Sequence, residues 1–274
     1  MLFQDPPSFL AEIEEIARLG GRQLMSHWRG LEPGQVSEKA RNDLVTVADL
    51  ASEKAIIEAV AQRFPSHRVL SEEAGWSGRS SSGPTWIVDP LDGTTNFVHG
   101  IPQFAVSIGV AVDDRVDFGV IFDPCRDDLF SAARGFGARW NGSPCHISDR
   151  QGLAGALLAT GFPFKAHSLL DPYLAIFRDV FLSCKAIRRP GAAALDLAYT
   201  ACGLFDGFFE FQLSAWDVAA GSLLVEEAGG VITTMEGGTD ILASGNVVCG
   251  PEGVHRELLA VIETHAAQWQ EALS

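Results

Sequence analysis

Basic residues are scarce in this chain. Twenty Lys and Arg stand against 35 Asp and Glu, a formal net charge of -15 over 274 residues. Such a surface repels nucleic-acid backbones and anionic membranes, so neither is expected as a partner. Cysteine is sparse too: Cys125, Cys145, Cys184, Cys202 and Cys249 are odd in number and form no Cys-x-x-Cys pair. That spacing argues against a disulfide framework or a zinc site and for a reducing compartment. The seven histidines are equally dispersed. No apolar run approaches the roughly 20 residues of a spanning helix. The opening Met1-Leu2-Phe3-Gln4-Asp5-Pro6-Pro7 also lacks the basic-then-apolar pattern of a secretory signal. The expected location is the cytoplasm. There is no internal repeat or low-complexity tract. A phosphorylated substrate stays compatible with the acidity if cations in a carboxylate-lined cleft reverse the local sign.

What is present is periodic pattern. Leu10, Ile13, Ile16, Ala17 and Leu24 predict a helix over 8–28, and Ile56, Ile57 and Val60 a second running to Phe64, with Pro65 beyond it. Gly30 to Asn42 reads as a polar connection, and Arg79 to Pro84 as a surface loop. Strands are expected at 69–70, 85–88, 104–112, 116–122 and 128–132, giving a mainly antiparallel sheet covered by the first two helices. The second half alternates strands (156–159, 185–187, 207–211, 231–233, 247–249) with helices (169–181, 192–202, 216–228, 253–272), an α/β pattern. The shift between the two styles falls near 142–155. The expected parts are therefore residues 1–145, carrying most of the chemistry-bearing carboxylates, and 146–274, carrying Asp217 and residues for the substrate.

The most informative segment is Asp89-Pro90-Leu91-Asp92-Gly93-Thr94-Thr95-Asn96-Phe97. An apolar run, Trp86-Ile87-Val88, delivers two carboxylates three residues apart into a turn, and a helix start with free N–H groups follows. Hard cations such as Mg²⁺ take oxygen ligands and share them with substrate phosphates; helix N-termini attract anions. Asp-Pro and Asp-Gly are also ordinary turn chemistry. Other acidic residues have plain alternatives as well. Glu72-Glu73 can be a solvated turn, Asp49 an N-cap, and Asp217 a carboxylate favoured by a helix dipole. Glu210 can simply end the Phe-rich strand Phe208-Phe209-Glu210-Phe211, and His99 more naturally packs locally than binds a hard cation.

Taken together, these blocks make the chain similar to the inositol monophosphatase family of Mg²⁺-dependent, lithium-sensitive phosphatases. The resemblance runs from about residue 9 to 265, through Asp43-Leu44-Val45-Thr46 to Asp49, Ser71-Glu72-Glu73, Trp86 to Phe97, and Trp216-Asp217-Val218-Ala219-Ala220-Gly221 through Glu227-Ala228-Gly229-Gly230. Phe97 to Pro102 and Ala193-Ala194-Leu195-Asp196 extend it. The resemblance implies an α+β fold, a layered αβαβα sandwich, usually homodimeric. It also implies two to three Mg²⁺ ions: Glu72, Asp89 and the Leu91 carbonyl on one, Asp89, Asp92 and Asp217 on a second, and a weaker third near Glu72. The implied reaction is in-line hydrolysis of a phosphomonoester by metal-activated water. Glu72 and Thr94 position the nucleophile, Asp49 braces Thr94, and the N–H groups of Gly93 and Thr94 hold the phosphate. Glu210, Ala193, Asp92 and Asp217 line the polyol pocket.

One departure concerns the substrate. Gly191-Ala192-Ala193-Ala194 lacks the Ser or Thr that the family often carries there. The reading is an inositol monophosphatase. The alternatives are histidinol phosphate, fructose 1,6-bisphosphate or 3′-phosphoadenosine 5′-phosphate as substrate, or a regulatory binding protein on the same fold.

Overall fold

The computed structural model describes residues 5–40, 43–78, 83–113, 115–164 and 166–273. Two helices come first, α1 (Pro6–His27) and α2 (Val47–Arg63), joined through a hairpin of β1 (Val36–Ala40) and β2 (Asp43–Thr46). The polar connection expected over 30–42 thus contains a strand; its residues 41 and 42 lie outside the described residues. Polarity hid this strand, because four of its five residues are exposed. Of the loop expected at 79–84, residues 79–82 also lie outside the described residues.

An eight-stranded sheet follows from β3 (Arg68–Ser71), β4 (Gly75–Ser77), β5 (Thr85–Asp92), β6 (Ala105–Val112), β7 (Arg115–Asp123), β8 (Asp128–Ala133), β9 (Ala138–Trp140) and β10 (Ser143–Pro144), in the order 10-9-8-7-6-5-3-4. Its pairs are antiparallel except β3 with β5. The short helix α3 (Thr94–Val98) sits between β5 and β6. A five-stranded sheet is built from β11 (Leu157–Thr160), β12 (Ala186–Arg188), β13 (Gly207–Glu210), β14 (Val231–Thr233) and β15 (Val247–Gly250). Between and beyond these strands lie α4 (Leu170–Ser183), α5 (Ala193–Ala201), α6 (Ala215–Glu227), α7 (Ile241–Ser244), α8 (Glu252–Glu263) and α9 (Ala266–Leu273). The single closing helix expected over 253–272 is two helices. The break comes where the Thr264 hydroxyl turns back onto the Val261 carbonyl (2.6 Å) and His265 reaches Asp179 (2.9 Å). Among the described residues no helix is long and apolar enough to cross a membrane.

The layering αβαβα follows from strand alternation, since successive side chains point to opposite faces. On β5, Trp86 and Val88 join the core under α1 and α2, while Ile87 joins the core around α5 and α6. On β13 and β15, Phe208, Val247 and Cys249 face that same central layer; Phe209 and Val248 face a third core with α4 and α8. The central core therefore draws on both halves of the chain, from Ile87 to Cys249.

The helix α6 lies unusually close to the first sheet because the sheet offers it no side chains there. A Cβ at Gly119 would stand 2.7 Å from the Ala220 carbonyl oxygen, and one at Gly109 2.7 Å from the Ala219 Cβ. Backbone cannot yield as a flexible side chain does, so Gly119→Ala is expected to cost about 1–3 kcal/mol through overpacking. Urea denaturation measures it, and an unchanged midpoint would show that the helix can lift off freely.

Candidate active site

Helix α2 is the floor of the site, and its buried polar residues explain its weak amphipathic pattern. Asp49, Ser52 and Glu53 are all buried at helical spacing i, i+3, i+4. Asp49 first completes a capping box: its Oδ2 accepts from the Thr46 N–H (2.9 Å) and hydroxyl (2.6 Å). Its other oxygen, Oδ1, lies 3.2 Å from the Thr94 hydroxyl. The Ser52 hydroxyl donates to the Pro90 carbonyl (2.9 Å). Glu53 Oε1 accepts from the Ser71 hydroxyl and from the N–H groups of Glu73 (3.1 Å) and Ala74 (2.9 Å). One helix thereby fixes the Thr94 hydroxyl, the Asp89–Asp92 turn and the turn bearing Glu72. Sequence reading assigned only Asp49; Ser52 and Glu53 were missed, although polar residues on the inward face of a core helix are the signal that marks them.

Above this floor, β5 runs further than expected, through Asp89-Pro90-Leu91-Asp92, and its register with β6 shifts between Asp89 and Asp92. The irregularity re-aims both carboxylates, as bulges beside active sites do. Asp217 arrives from the first turn of α6, where its Oδ2 accepts the Ser214 N–H at 2.6 Å. Ligand oxygens of Asp89, Asp92 and Asp217 lie within 4.8 Å of one another. Glu72 lines the same cavity of about 420 Å³, with Asp43, Leu91, Gly93, Thr94, Arg189 and other residues. Four of the five expected metal-ligand residues thus surround one space with side-chain oxygens; the fifth, Leu91, turns its carbonyl to the Thr94 hydroxyl (3.0 Å).

These groups are electrostatically strained without cations. Burial, then the charges of Glu72, Asp92 and Asp217, push Asp89 well above the usual carboxylate range. Burial and Asp217 raise Asp92 to about 8, against N–H groups of Ala194 (2.8 Å) and Ala193 that lower it. Burial also raises Asp49, to about 6. A cation already leans on the edge of the cluster: Lys39 Nζ lies 3.1 Å from Glu72 Oε1 and 2.7 Å from Glu73 Oε1. Burial alone would lower the Lys39 pKa, but Glu73 and Glu72 raise it above the ordinary value. Oxygen-only donors, raised carboxylates and a lysine drawn to the rim fit hard divalent cations.

Gly93 caps α3 with φ +89°, and a Cβ there would approach the Gln103 carbonyl oxygen to 2.8 Å. Only glycine lets this turn, which lines the cavity, pack so closely against the Gln103–Phe104 backbone. Glu210 ends β13, half-buried, with Gly161 directly beneath its carboxylate. Burial raises it to about 8, and Arg189, Asp217 and Asp92 act on it electrostatically. Ala193 is almost wholly buried, its N–H turned to Asp92. Arg189, missed in the sequence, brings a guanidinium to the cavity and stands 5.0 Å from the Phe164 ring centre. His99 is not among the residues lining the cavity.

A family model described as the inositol monophosphatase family matches residues 6–268. The chain is 44% identical over 253 residues to the Nus factor SuhB of Pseudomonas aeruginosa, covering 91% of this chain and 93% of that protein. Its structure resembles the extragenic suppressor protein suhB from Bartonella henselae with a TM-score of 0.90 at 41% identity, over 93% of this chain and 98% of the other. An inositol monophosphatase from Anabaena gives a TM-score of 0.83 at 37% identity, over 94% and 96% of the two chains.

Proposed function

The chain belongs to the inositol monophosphatase family, and from this membership we propose that it hydrolyses inositol monophosphate to inositol and orthophosphate with Mg²⁺ as cofactor. The observation that carries the proposal is the convergence of Asp89, Asp92 and Asp217 oxygens within 4.8 Å, from two elements 125 residues apart in sequence (217 − 92). Glu72, Asp89 and the Leu91 carbonyl are assigned to one ion, Asp89, Asp92 and Asp217 to a second, and Glu72 to a weaker third. Bound to these carboxylates, Mg²⁺ would supply the positive charge that offsets the cluster, favours a phosphate dianion and makes water more acidic.

The protein's own groups do the rest. Thr94 has a single hydroxyl proton and two acceptors in reach, Asp49 Oδ1 (3.2 Å) and the Leu91 carbonyl (3.0 Å). Donation to Asp49 leaves the oxygen lone pairs able to accept from a nucleophilic water, and Glu72, on the same cavity, is assigned as its proton acceptor. Gly93 and Thr94 present N–H groups to the phosphate at the start of α3. Glu210, with Asp92, Asp217 and the Ala193 region, faces the polyol, and Arg189 adds the positive charge that a phosphorylated sugar favours. A homodimer is assigned by family analogy, supported by the exposed Leu170, Leu174, Phe181 and Leu182 along the outer face of α4.

A second reading has a specific basis, since the Pseudomonas relative carries the name Nus factor. It makes this chain a regulatory binding protein that keeps the phosphatase fold. Phosphate release, measured with Mg²⁺ on inositol 1-phosphate, histidinol phosphate, fructose 1,6-bisphosphate and 3′-phosphoadenosine 5′-phosphate, separates the readings. Inositol 1-phosphate is expected to lead by at least about tenfold in kcat/KM, a difference of ~1.4 kcal/mol in transition-state binding. Equal rates on several esters remove the inositol assignment, and no turnover on any of them, with Mg²⁺ bound, favours the regulatory reading.

A further inference from the structure

A second cavity, of about 440 Å³, lies on the same face of the eight-stranded sheet, behind the carboxylates. Its position follows from strand alternation. Arg68 and Leu70 of β3 line it, and the next residue on that face is Glu72; Thr85 and Ile87 of β5 line it, and the next is Asp89. Same-face neighbours on a strand are roughly 7 Å apart. Ala215 of α6 lines it, two residues before Asp217. The three elements that bring Glu72, Asp89 and Asp217 to the catalytic cavity are therefore shared, two residues back, with this one.

Its lining combines an apolar interior with polar and charged groups, Thr85, Ser222 and Thr239 among them. Ile87, Ala111 and Val116 are buried inside, while α7 closes one side with Ile241 and Leu242. The outer rim carries Trp76, 60% exposed on the edge strand β4, with the Arg68 guanidinium 4.7 Å from its ring centre. Among the described residues three arginines and two carboxylates, Glu226 and Asp240, line the cavity and no lysine does, in a chain with an excess of acidic residues. Arg134 is engaged by the Val116 carbonyl, Asp117 and Glu226, whereas Arg115 is two-thirds exposed and uses one side of its fork on Asp117. An exposed indole beside guanidinium groups fits an aromatic ring with an attached anion, because the ring stacks while the planar fork meets carboxylate, sulfonate or phosphate.

We propose that this cavity is an effector site for a small aromatic anion, coupled to the catalytic carboxylates through β3, β5 and α6. The coupling half rests on the reading that Glu72, Asp89 and Asp217 hold cations; the binding half does not. The probe is 8-anilinonaphthalene-1-sulfonate, titrated by fluorescence into the full chain with and without saturating Mg²⁺. One equivalent is expected to bind. The double variant Trp76→Ala/Arg115→Ala is expected to weaken it at least tenfold, and Ala243→Trp, which narrows the cavity from the exposed position of α7 without removing packing, to do the same. Phe181→Ser/Leu182→Ser, on the remote apolar face of α4, is expected to leave binding unchanged. Thermal melts establish that each variant is folded. Because coupling is reciprocal, Mg²⁺ is expected to change the probe affinity at least threefold, and the probe to change the calorimetric Mg²⁺ affinity by the same factor.

Probe binding that survives Trp76→Ala/Arg115→Ala and Ala243→Trp, or is lost only in the α4 variant, overturns the site. Probe binding at the cavity that is indifferent to Mg²⁺ overturns the coupling. If Mg²⁺ itself fails to bind in the probe's absence, the metal-site reading and the coupling fall together, and the probe titration still decides the cavity.

Discussion

Asparagine in place of Asp92 is expected to lower Mg²⁺-dependent phosphate release by about a thousandfold or more and to leave a folded protein. The loss is at least that of a preorganised electrostatic group acting on developing charge, about 10²–10³, because Asp92 is assigned to a cation as well as to the substrate pocket. The fold survives for reasons visible around the side chain. Asn Oδ1 can still accept the Ala194 N–H that Asp92 Oδ2 now accepts at 2.8 Å. The carboxyl is also raised to about 8 by burial and by Asp217, so near pH 7 without metal the asparagine replaces a mostly neutral group. The melting temperature of metal-free protein at pH 7 is therefore expected to change little, while the rise on adding Mg²⁺ is strongly reduced. A variant that unfolds without metal would falsify the ligand assignment and make Asp92 a structural residue.

Mg²⁺ affinity is expected to climb steeply with pH, and the stability of the metal-free protein to fall over the same range. Asp89 and Asp92 are both raised above the ordinary carboxylate value of 3.8, chiefly by burial and then by neighbouring carboxylates, Asp92 to about 8. The folded state thus binds protons that the unfolded chain has released. The stability linked to those protons is fully present below about pH 4 and is lost as pH rises through the raised folded values. Cations need deprotonated oxygens, so Mg²⁺ competes with the same protons. Its affinity is expected to rise by about tenfold per pH unit between pH 6 and 8 for each proton displaced. Calorimetric titration at pH 6, 7 and 8, with parallel melts in chelator, measures both trends. A flat Mg²⁺ affinity over that window would mean the carboxylates are already ionised and the cluster is far better solvated than its burial indicates.

The local code of this protein is written in its sequence to a considerable depth. Apolar spacing predicted both opening helices, and short runs bounded by Gly, Pro and Asp predicted five strands between Val69 and Ala132, but not β4 among them nor β9 and β10 beyond, whose two or three residues are too few to show a pattern. The Asp89–Phe97 segment announced two carboxylates running into a helix start, and α3 does begin at Thr94. Those features are short-range, so they survive in one dimension. The hairpin strand Val36–Ala40 was hidden because an exposed strand has no apolar face to reveal it. Ser52 and Glu53 looked like ordinary polar residues of a surface helix; only the packing of α2 under β5 makes them supports for Pro90 and for the turn at Glu72. Arg189 became part of the cavity only when the two sheets met around α5 and α6. Residue type and spacing determined which side chains can carry chemistry. Which of them share a space was decided by tertiary contact, since the distance between Asp92 and Asp217 depends on how closely α6 approaches a sheet stripped to glycine at Gly109 and Gly119.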